Sequence, residues 1–311
     1  MKILVTGATG LVGTAIQRVS KKLFPEYSMV FVSSKDCDLL DLEQTKNTFR
    51  KHSPNCVLHL AANVGGLYKN MNQKVQMFES NLIMNYNVIK ACYHNNIQQL
   101  IGMLSTCIFP DAIEYPIDET KLTLGPPHVS NDAYAYAKRM FKVHCDAYND
   151  QYNTNYNCVI PANIYGINDN YNLDDAHVIP ALIHKCYLAK KANKKFEVLG
   201  TGKPLRQFVY SDDLAEIILR LLPTLDQDSV IITNPKEYKI KDAATYIAKA
   251  FDYEEAIRFR PTASDGQYRK QASVEHMLKL LQTDTFEFTT LSDGINTTVE
   301  HFCENYKNLR I

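Results

Sequence analysis

The sequence lacks tryptophan, lacks any C-x-x-C pair, and has no hydrophobic run near the roughly 20 residues that cross a membrane. Its eight cysteines are scattered singly, which excludes the usual zinc and dithiol signatures and predicts reduced thiols in a cytosol-like compartment. Thirty-four basic side chains balance thirty-four acidic ones, so no overall field attracts nucleic acid or an anionic membrane. The start, MKILVTGATG, does not resemble a signal peptide. We therefore expect a cytoplasmic protein in which a few local cations hold any anionic ligand.

Short apolar runs alternate with helical patterns through the first half of the 311-residue chain. The apolar runs lie at 3–5, 29–32, 56–60, 100–105 and 156–160, and the helical patterns at 11–23, 42–52, 75–95 and 132–152. Continuous apolar strands separated by helices are typical of a parallel sheet that is covered on both faces. The pattern predicts an α/β fold with a doubly wound parallel sheet.

The alternation stops after Pro161, where polar segments rich in turn residues follow. A strand at 208–210 and a helix at 213–222 indicate a return to the sheet. We predict a dinucleotide-binding domain at 1–162, with 207–225 returning to it, and a smaller mixed α/β substrate lobe at 163–206 and 226–311.

A glycine-rich turn of the form G-x-x-G-x-x-G joins the first strand to the first helix. Glycines let the backbone turn tightly and approach a pyrophosphate, which then lies at the helix N-terminus. Turns use glycine for other reasons, but the strand-turn-helix context favours dinucleotide binding. The predicted contacts are Gly7, Thr9, Gly10, Leu11, Val12 and Gly13.

The end of the second strand distinguishes NAD from NADP. Sites for NAD usually place an acidic side chain there for the ribose 2′-hydroxyl, whereas sites for NADP place a cation. Here the strand ends in Ser33, Ser34 and Lys35, and the first acidic residue is Asp36. Two hydroxyls and an ammonium suit a 2′-phosphate, so we predict NADP(H). A solvent-exposed lysine in a loop is the alternative interpretation.

Tyr134 and Lys138 lie four residues apart at the start of the helix that follows the fourth strand. This spacing places a phenol and an ammonium on one helix face. A phenol beside a cation can donate or accept a proton near neutral pH, and the lysine can also hold a ribose. The pattern Y-x-x-x-K is common, so its position in this fold makes it informative. Tyr136 is a rival tyrosine without a lysine four residues later.

Together with Ser105, these motifs resemble the extended short-chain dehydrogenase/reductase family, which implies a Rossmann-type sheet. Further segments narrow the resemblance to members that epimerise and then reduce a GDP-linked 4-keto-6-deoxy sugar. They are STCIFP (105–110), PPH (126–128), YAKRM (136–140), NIYG (163–166), HVIPALIHK (177–185), GTGKPLRQF (200–208) and SDGQYRK (264–270). The resemblance extends from Met1 to about Lys270, and it implies NADP(H), a GDP-sugar substrate and a homodimer formed through helices 75–95 and 132–152.

The resemblance also implies the catalytic roles. Inversion of a carbon beside a ketone requires two ionisable groups on opposite sides of the sugar. The family pattern implies Cys107 as the base at C3 and C5 and His177 as the acid. It implies Tyr134 as the proton donor to the C4 oxygen, supported by Lys138, and Ser105 as a hydrogen-bond donor to the ketone. Taken alone, Cys107 would be interpreted as a small core residue and His177 as a surface histidine.

Two further sets of contacts are implied residue by residue, and no metal is implied. The substrate contacts are Asn163, Val178, Lys185, Arg206 and Lys270, of which the three cations would bind the GDP diphosphate. The additional cofactor contacts are Asp38 and Leu39 near the adenine, Ala61 and Ala62 after the third strand, and Tyr134, Lys138 and His177.

The sequence departs from the family pattern twice and leaves two alternatives open. Thr9 stands where bacterial members often have an arginine, and Leu199 stands where relatives have a tryptophan near the nucleotide. One alternative is a 4-epimerase or 4,6-dehydratase, which would keep NAD bound and return its hydride. The other is a non-catalytic NADP-sensing module, although such modules tend to lose the Tyr/Lys pair.

Overall fold

The computed structural model describes residues 1–261 and 267–311, and its strands and helices alternate along the first half of the chain. The strands are β1 (Lys2–Thr6), β2 (Ser28–Val32), β3 (Cys56–His59), β4 (Gln99–Met103), β5 (Asn155–Pro161), β6 (Asn163–Tyr165), β7 (Phe196–Leu199), β8 (Leu205–Tyr210), β9 (Ser229–Ile232), β10 (Glu237–Lys239) and β11 (Ile257–Arg260). The helices are α1 (Leu11–Leu23), α2 (Leu42–His52), α3 (Leu67–Asn72), α4 (Lys74–His94), α5 (Asp132–Tyr152), α6 (Val178–Lys191), α7 (Ser211–Leu221), α8 (Ile240–Ala250), α9 (Glu275–Leu280) and α10 (Leu291–Asn305).

A parallel central sheet has the strand order β2-β1-β3-β4-β5-β9. Strands β3 and β9 are buried along their whole length, because helices cover both faces of the sheet. Phe49, Val88 and Phe141 of α2, α4 and α5 contribute to the core on one face. Ile16 and Leu214 of α1 and α7 contribute to the core on the other face. The predicted doubly wound α/β fold is confirmed.

A second, smaller lobe is built on two short sheets. One sheet has the order β10-β8-β6, and the other pairs β11 with β7. Helices α6, α8 and α10 pack against them through apolar side chains such as Ile183, Ile247 and Phe302. The mixture of short strands and helices that was predicted for this part of the chain is present.

Two strands differ from the sequence prediction in their sheet partners. The strand predicted at 208–210 is β8, which pairs with β6 and β10, so the expected return of this strand to the central sheet is wrong. Helix α7 does return to the central sheet, where it packs against α1. The additional central strand is β9, from within the predicted substrate lobe, and it pairs with β5. A short apolar run predicts a strand but carries no information about its partner. The proposed lobe boundaries stay a prediction.

Helix α3 (Leu67–Asn72) is a further element that the apolar pattern did not reveal, since it is short and lies directly before α4. Over the described ranges, no helix combines the length and the apolarity that crossing a membrane requires.

Candidate active site

The predicted cofactor residues and several of the predicted catalytic residues lie at the carboxyl edge of the central sheet. Because β1 to β5 run parallel, the loops that follow them meet at this edge, where open α/β sheets bind their ligands. These loops contain the glycine turn after β1, 33–35 after β2, 61–62 after β3, 105–107 after β4 and Asn163 after β5.

The glycine turn has a backbone that only glycine fits. Gly7 has a φ of +71°, and a Cβ there would lie 2.7 Å from the backbone nitrogen of Ala61. A Cβ on Gly13 would lie 2.4 Å from the carbonyl oxygen of Gly7. The Gly10 N–H donates to the same carbonyl at 3.0 Å, and Gly10 precedes α1 with no side chain to cap it. The turn therefore presents the N–H groups of the first turn of α1 to a ligand at the sheet edge, as a pyrophosphate requires.

The end of β2 contains a small hydrogen-bonded loop. The N–H and the hydroxyl of Ser33 donate to the Asp36 carboxylate at 2.8 and 2.6 Å, and these bonds hold the pKa of Asp36 below its usual range. Ser34 and Lys35 are exposed beside it. Because the Ser33 hydroxyl proton is already donated to Asp36, Ser34 and Lys35 are the groups free to face an added phosphate in this loop.

The predicted adenine and β3 contacts lie at the same edge. Leu39 is buried, and its carbonyl oxygen accepts from the Asn87 amide at 2.8 Å, whereas Asp38 is exposed. Ala61 and Ala62 are partly buried after β3. The burial of Leu39 indicates that its side chain stabilises the loop. The adenine contact at this position stays a prediction.

Tyr134 and Lys138 lie on one face of α5 above the end of β4. Lys138 is 2% exposed, and its ammonium donates to the Met103 carbonyl at 2.8 Å and lies 5.8 Å from the centre of the Tyr134 ring. Burial lowers the pKa of Lys138 to about 8 and raises the pKa of Tyr134. The predicted pairing is present, and burial is the main cause that raises the pKa of the phenol. Tyr134 is therefore protonated and able to donate at neutral pH.

Cys107 lies in a single 3₁₀ turn, Thr106–Ile108, directly after β4. The Ser105 hydroxyl oxygen caps this turn by accepting from the Cys107 N–H at 3.4 Å. Burial raises the pKa of the thiol, while Lys270, Ser105 and Lys138 act in the opposite direction. Cys107 is partly exposed at the ligand edge, whereas six of the other cysteines are buried, and the remaining one, Cys303, is exposed on α10.

His177 lies directly before α6, in a segment that is attached to the loop after β3. The Gly66 N–H donates to the Asp175 carbonyl at 2.7 Å, and the Lys69 ammonium lies 3.5 Å from the Asp175 carboxylate. The imidazole of His177 is exposed, yet the surrounding protein lowers its pKa by removing part of its hydration. Cys107 thus follows β4, and His177 lies in a segment that is bonded to the loop after the neighbouring strand β3.

The predicted diphosphate cations form a connected group with the segment 267–270. Arg206 of β8 donates to the Gln267 carbonyl at 2.6 Å, and Lys270 follows three residues later. Burial lowers the pKa of Lys270, Cys107 raises it, and Arg206 lowers it further. The structure therefore brings Arg206, Lys270 and Cys107 together. Lys185 lies separately on α6, two helical turns after His177, and is partly buried.

The remaining predicted substrate contacts also have structural partners. The Asn163 amide donates to the Gln207 carbonyl at 2.9 Å, and Val178 packs against the core of the smaller lobe. Residues 264–266 of the SDGQYRK motif lie outside the described residues. Among the residues that are described, no three histidine, cysteine or acidic side chains form a group that could hold a metal ion.

Sequence reasoning missed two residues that shape the site. The Gln207 amide bonds both the N–H and the carbonyl of Ala272, at 2.7 and 3.1 Å, and so fixes the segment that carries Lys270. Arg139 is buried and donates to the carbonyl of Ile108, the residue after Cys107, at 2.6 Å. Arg139 belongs to the YAKRM motif, which was a usable signal, whereas the bonds of Gln207 depend on tertiary structure.

A dinucleotide-binding sheet with a Tyr/Lys pair beside a partly exposed thiol defines an oxidoreductase whose site also holds acid–base groups. The chain belongs to the NAD dependent epimerase/dehydratase family, whose model matches residues 3–238. It is 45% identical to GDP-L-fucose synthase of Dictyostelium discoideum over 99% of this chain and 97% of that relative. It is 42% identical to the probable GDP-L-fucose synthase of Drosophila melanogaster over 99% of both chains.

A solved structure gives the same result. The crystal structure of a GDP-L-fucose synthetase from Naegleria fowleri bound to NADP has a TM-score of 0.93 and 42% sequence identity, and the match covers 100% of this chain and 95% of that one. The predicted resemblance and the extended short-chain dehydrogenase/reductase fold are confirmed.

Proposed function

We infer that this chain converts GDP-4-dehydro-6-deoxy-D-mannose to GDP-L-fucose, by epimerisation at C3 and C5 and then NADPH-dependent reduction of the C4 ketone. The observation that carries this function is the combination at one sheet edge of the Tyr134–Lys138 pair and the partly exposed thiol of Cys107. Reduction alone needs only the pair, and epimerisation needs further acid–base groups. Full-length similarity to GDP-L-fucose synthases supports the same conclusion.

The residues of the glycine turn fit a dinucleotide. A Cβ at Gly7 would collide with the backbone of Ala61, and a Cβ at Gly13 with the backbone of the turn itself, so glycine at these positions lets the turn close tightly between β1 and α1. The N–H groups at the start of α1 would hold the pyrophosphate, and Ser34 and Lys35 would hold the 2′-phosphate. When bound, NADPH supplies the hydride that reduces C4.

For epimerisation, we propose that the Cys107 thiolate takes a proton from the carbon beside the ketone, leaving an enolate whose oxygen accepts a hydrogen bond from Ser105. His177 returns a proton to the opposite face. Lys270 and Lys138 favour the thiolate. Because His177 is exposed, it exchanges protons with water directly, so the returned proton comes from solvent. These features support the division of roles between the two groups.

For reduction, Tyr134 donates its proton to the C4 oxygen as hydride arrives at the carbon. The raised pKa of Tyr134 keeps this proton in place until the oxygen becomes basic. The phenolate that remains is stabilised by Lys138, whose pKa of about 8 leaves it largely charged at neutral pH. Arg206, Lys270 and Lys185 are the proposed partners of the GDP diphosphate.

A homodimer through α4 and α5 is part of this proposal. The two helices pack side by side, and their outer faces expose apolar side chains that a water-soluble monomer would bury. They are Ile83, Tyr86 and Tyr93 on α4 and Met140, Val143 and Tyr152 on α5, each 40–51% exposed. A cytoplasmic location likewise remains a proposal.

The test measures NADPH oxidation with freshly prepared GDP-4-dehydro-6-deoxy-D-mannose and identifies the product by NMR. We expect stoichiometric NADPH consumption and GDP-L-fucose as the product. A 4-epimerase or 4,6-dehydratase would instead carry bound NAD and consume no NADPH, and a sensing module would give no product. Either result would refute the proposal.

Tyr134→Phe separates the two half-reactions. Without the phenol, reduction should slow by roughly 10²–10⁴-fold, whereas solvent deuterium should still enter C3 and C5 through Cys107 and His177. Mass spectrometry of the substrate recovered from D₂O measures the exchange, and absorbance measures NADPH. If both rates fall by the same factor, one group serves both steps and the proposed division of roles is wrong.

A further inference from the structure

Arg139 is a buried cation beside the turn that carries Cys107. The residue is 8% exposed, its Nε donates to the carbonyl oxygen of Ile108 at 2.6 Å, and its guanidinium carbon lies 5.6 Å from the centre of the Tyr136 ring. Within the described part of the chain, its Nη2 has no hydrogen-bond partner. Burial of a permanent charge is costly, so the position of Arg139 requires an explanation.

The turn Thr106–Ile108 is held at both ends by side chains. At its start, the Ser105 hydroxyl oxygen accepts from the Cys107 N–H, and at its end Arg139 holds the Ile108 carbonyl. A 3₁₀ segment of three residues has poor hydrogen-bond geometry of its own. Its conformation, and with it the direction of the Cys107 side chain, therefore depends on these two contacts.

We propose that Arg139 is a positioning residue for the Cys107 thiol, which it holds through the Ile108 carbonyl and favours as thiolate through its fixed charge. This inference rests on the proposed function, in which Cys107 is the base. It adds a residue from the middle of α5 to the epimerase half of the site.

Several groups besides Arg139 face Cys107, and Arg139 differs from them because its charge does not change over the working pH range. They are Lys138 and Tyr134 from α5, Lys270 from the segment that starts at 267, and Ser105 as a hydrogen-bond partner. Burial lowers the pKa of Arg139, whereas Tyr136 and, to a smaller extent, Cys107 raise it, which supports the proximity of Arg139 and Cys107. Lys138 and Lys270 have lowered pKa values and can lose their protons, whereas a guanidinium stays charged over the working pH range.

The first experiment measures the alkylation of Cys107 by iodoacetamide against pH in the free protein, with peptide mass spectrometry to separate it from the other cysteines. Arg139→Met removes the charge and the donor, and Arg139→Gln removes the charge but keeps a donor. We expect the alkylation of Cys107 to require a higher pH in both variants than in the wild type. Each unit by which the pKa of the thiol rises reduces the thiolate fraction at neutral pH about tenfold. Lys142→Met is the matched control, since Lys142 pairs with Asp146 further along α5.

The second measurement is deuterium entry at C3 and C5. We expect it to fall by about tenfold or more in Arg139→Met and less in Arg139→Gln, while NADP binding stays as in the wild type. If Arg139→Met fails to fold, Arg139→Gln decides. A wild-type alkylation profile in a folded variant overturns the inference. Absence of deuterium exchange in the wild type would instead overturn the proposed function. The alkylation profile does not depend on that function, so the two failures can be told apart.

Discussion

Lys138→Met should abolish reduction and, at neutral pH, remove a source of instability. Lys138 is 2% exposed, and burial lowers the pKa of its ammonium from 10.5 to about 8. A folded-state pKa below the unfolded one means that the unfolded chain binds the proton more tightly. Protonation therefore favours unfolding, and the effect is complete below the folded pKa and disappears as the pH rises toward the unfolded pKa.

The magnitude follows from the difference between 10.5 and about 8. At 1.36 kcal/mol per pKa unit, the charged Lys138 costs roughly 3 kcal/mol of folding free energy at pH 7. Near pH 9.5 the cost has fallen to roughly 1.4 kcal/mol. The wild type should thus gain about 2 kcal/mol over this range from Lys138 alone.

The hydrogen bond from Lys138 to the Met103 carbonyl complicates a comparison at a single pH. Its loss leaves a buried carbonyl unpaired, which costs about 1–3 kcal/mol and can cancel the gain from removing the charge. That loss is the same at both pH values. The change with pH in the difference between variant and wild type therefore isolates the buried charge.

The assay is urea unfolding of nucleotide-free protein at about pH 7 and about pH 9.5, for the wild type, Lys138→Met and the control Lys142→Met. Between the two pH values, we expect the free energy of unfolding of the wild type to increase by about 2 kcal/mol more than that of Lys138→Met. The free energy of unfolding of the control should change with pH by the same amount as that of the wild type. Equal pH dependence of the wild type and Lys138→Met would refute the argument, because Lys138 would then have an ordinary pKa in the folded protein.

Two further predictions concern single site residues. Cys107→Ala should abolish deuterium entry at C3 and C5 while NADPH binding survives, with Cys303→Ala as control; GDP-L-fucose formed at a near-normal rate would show that another group is the base. Lys35→Glu should shift preference from NADPH toward NADH, because losing one charge-assisted contact costs about 1.5–3 kcal/mol. The kcat/KM ratio for the two cofactors measures this shift, with Lys21→Glu as control, and an unchanged ratio would exclude Lys35 from the 2′-phosphate site.

Most of the nucleotide-binding half could be predicted because its physics is local. Apolar runs buried on both faces identify β1, β3 and β4, and the glycine turn can be recognised because only glycine tolerates the geometry at Gly7. The exchange of β8 and β9 between sheets could not be predicted in the same way. Both are short apolar segments, and their pairing depends on contacts with β6 and β5 that a local pattern does not contain.

The same distinction between local patterns and long-range contacts applies to the site residues. Tyr134 and Lys138 are related by helical spacing, so their neighbourhood follows from the sequence alone. The proximity of Lys270 to Cys107 does not, since it arises from the long-range bonds of Arg206 and Gln207 to the segment around Ala272. Protonation states were the least predictable feature, because the burial that raises the pKa of Tyr134 depends on tertiary structure.

The pKa shifts across the site have one common direction. Burial raises the pKa of Tyr134 and Cys107 and lowers that of Lys138, Lys270 and His177, so every one of these groups is moved toward its uncharged form. A GDP-sugar and NADP(H) both bring phosphates, which favour the protonated form of nearby lysines. Lysines held in their charged form in turn favour the Cys107 thiolate. Ligand binding can therefore activate the base, and a thiol kept mostly protonated without ligand is less exposed to oxidation.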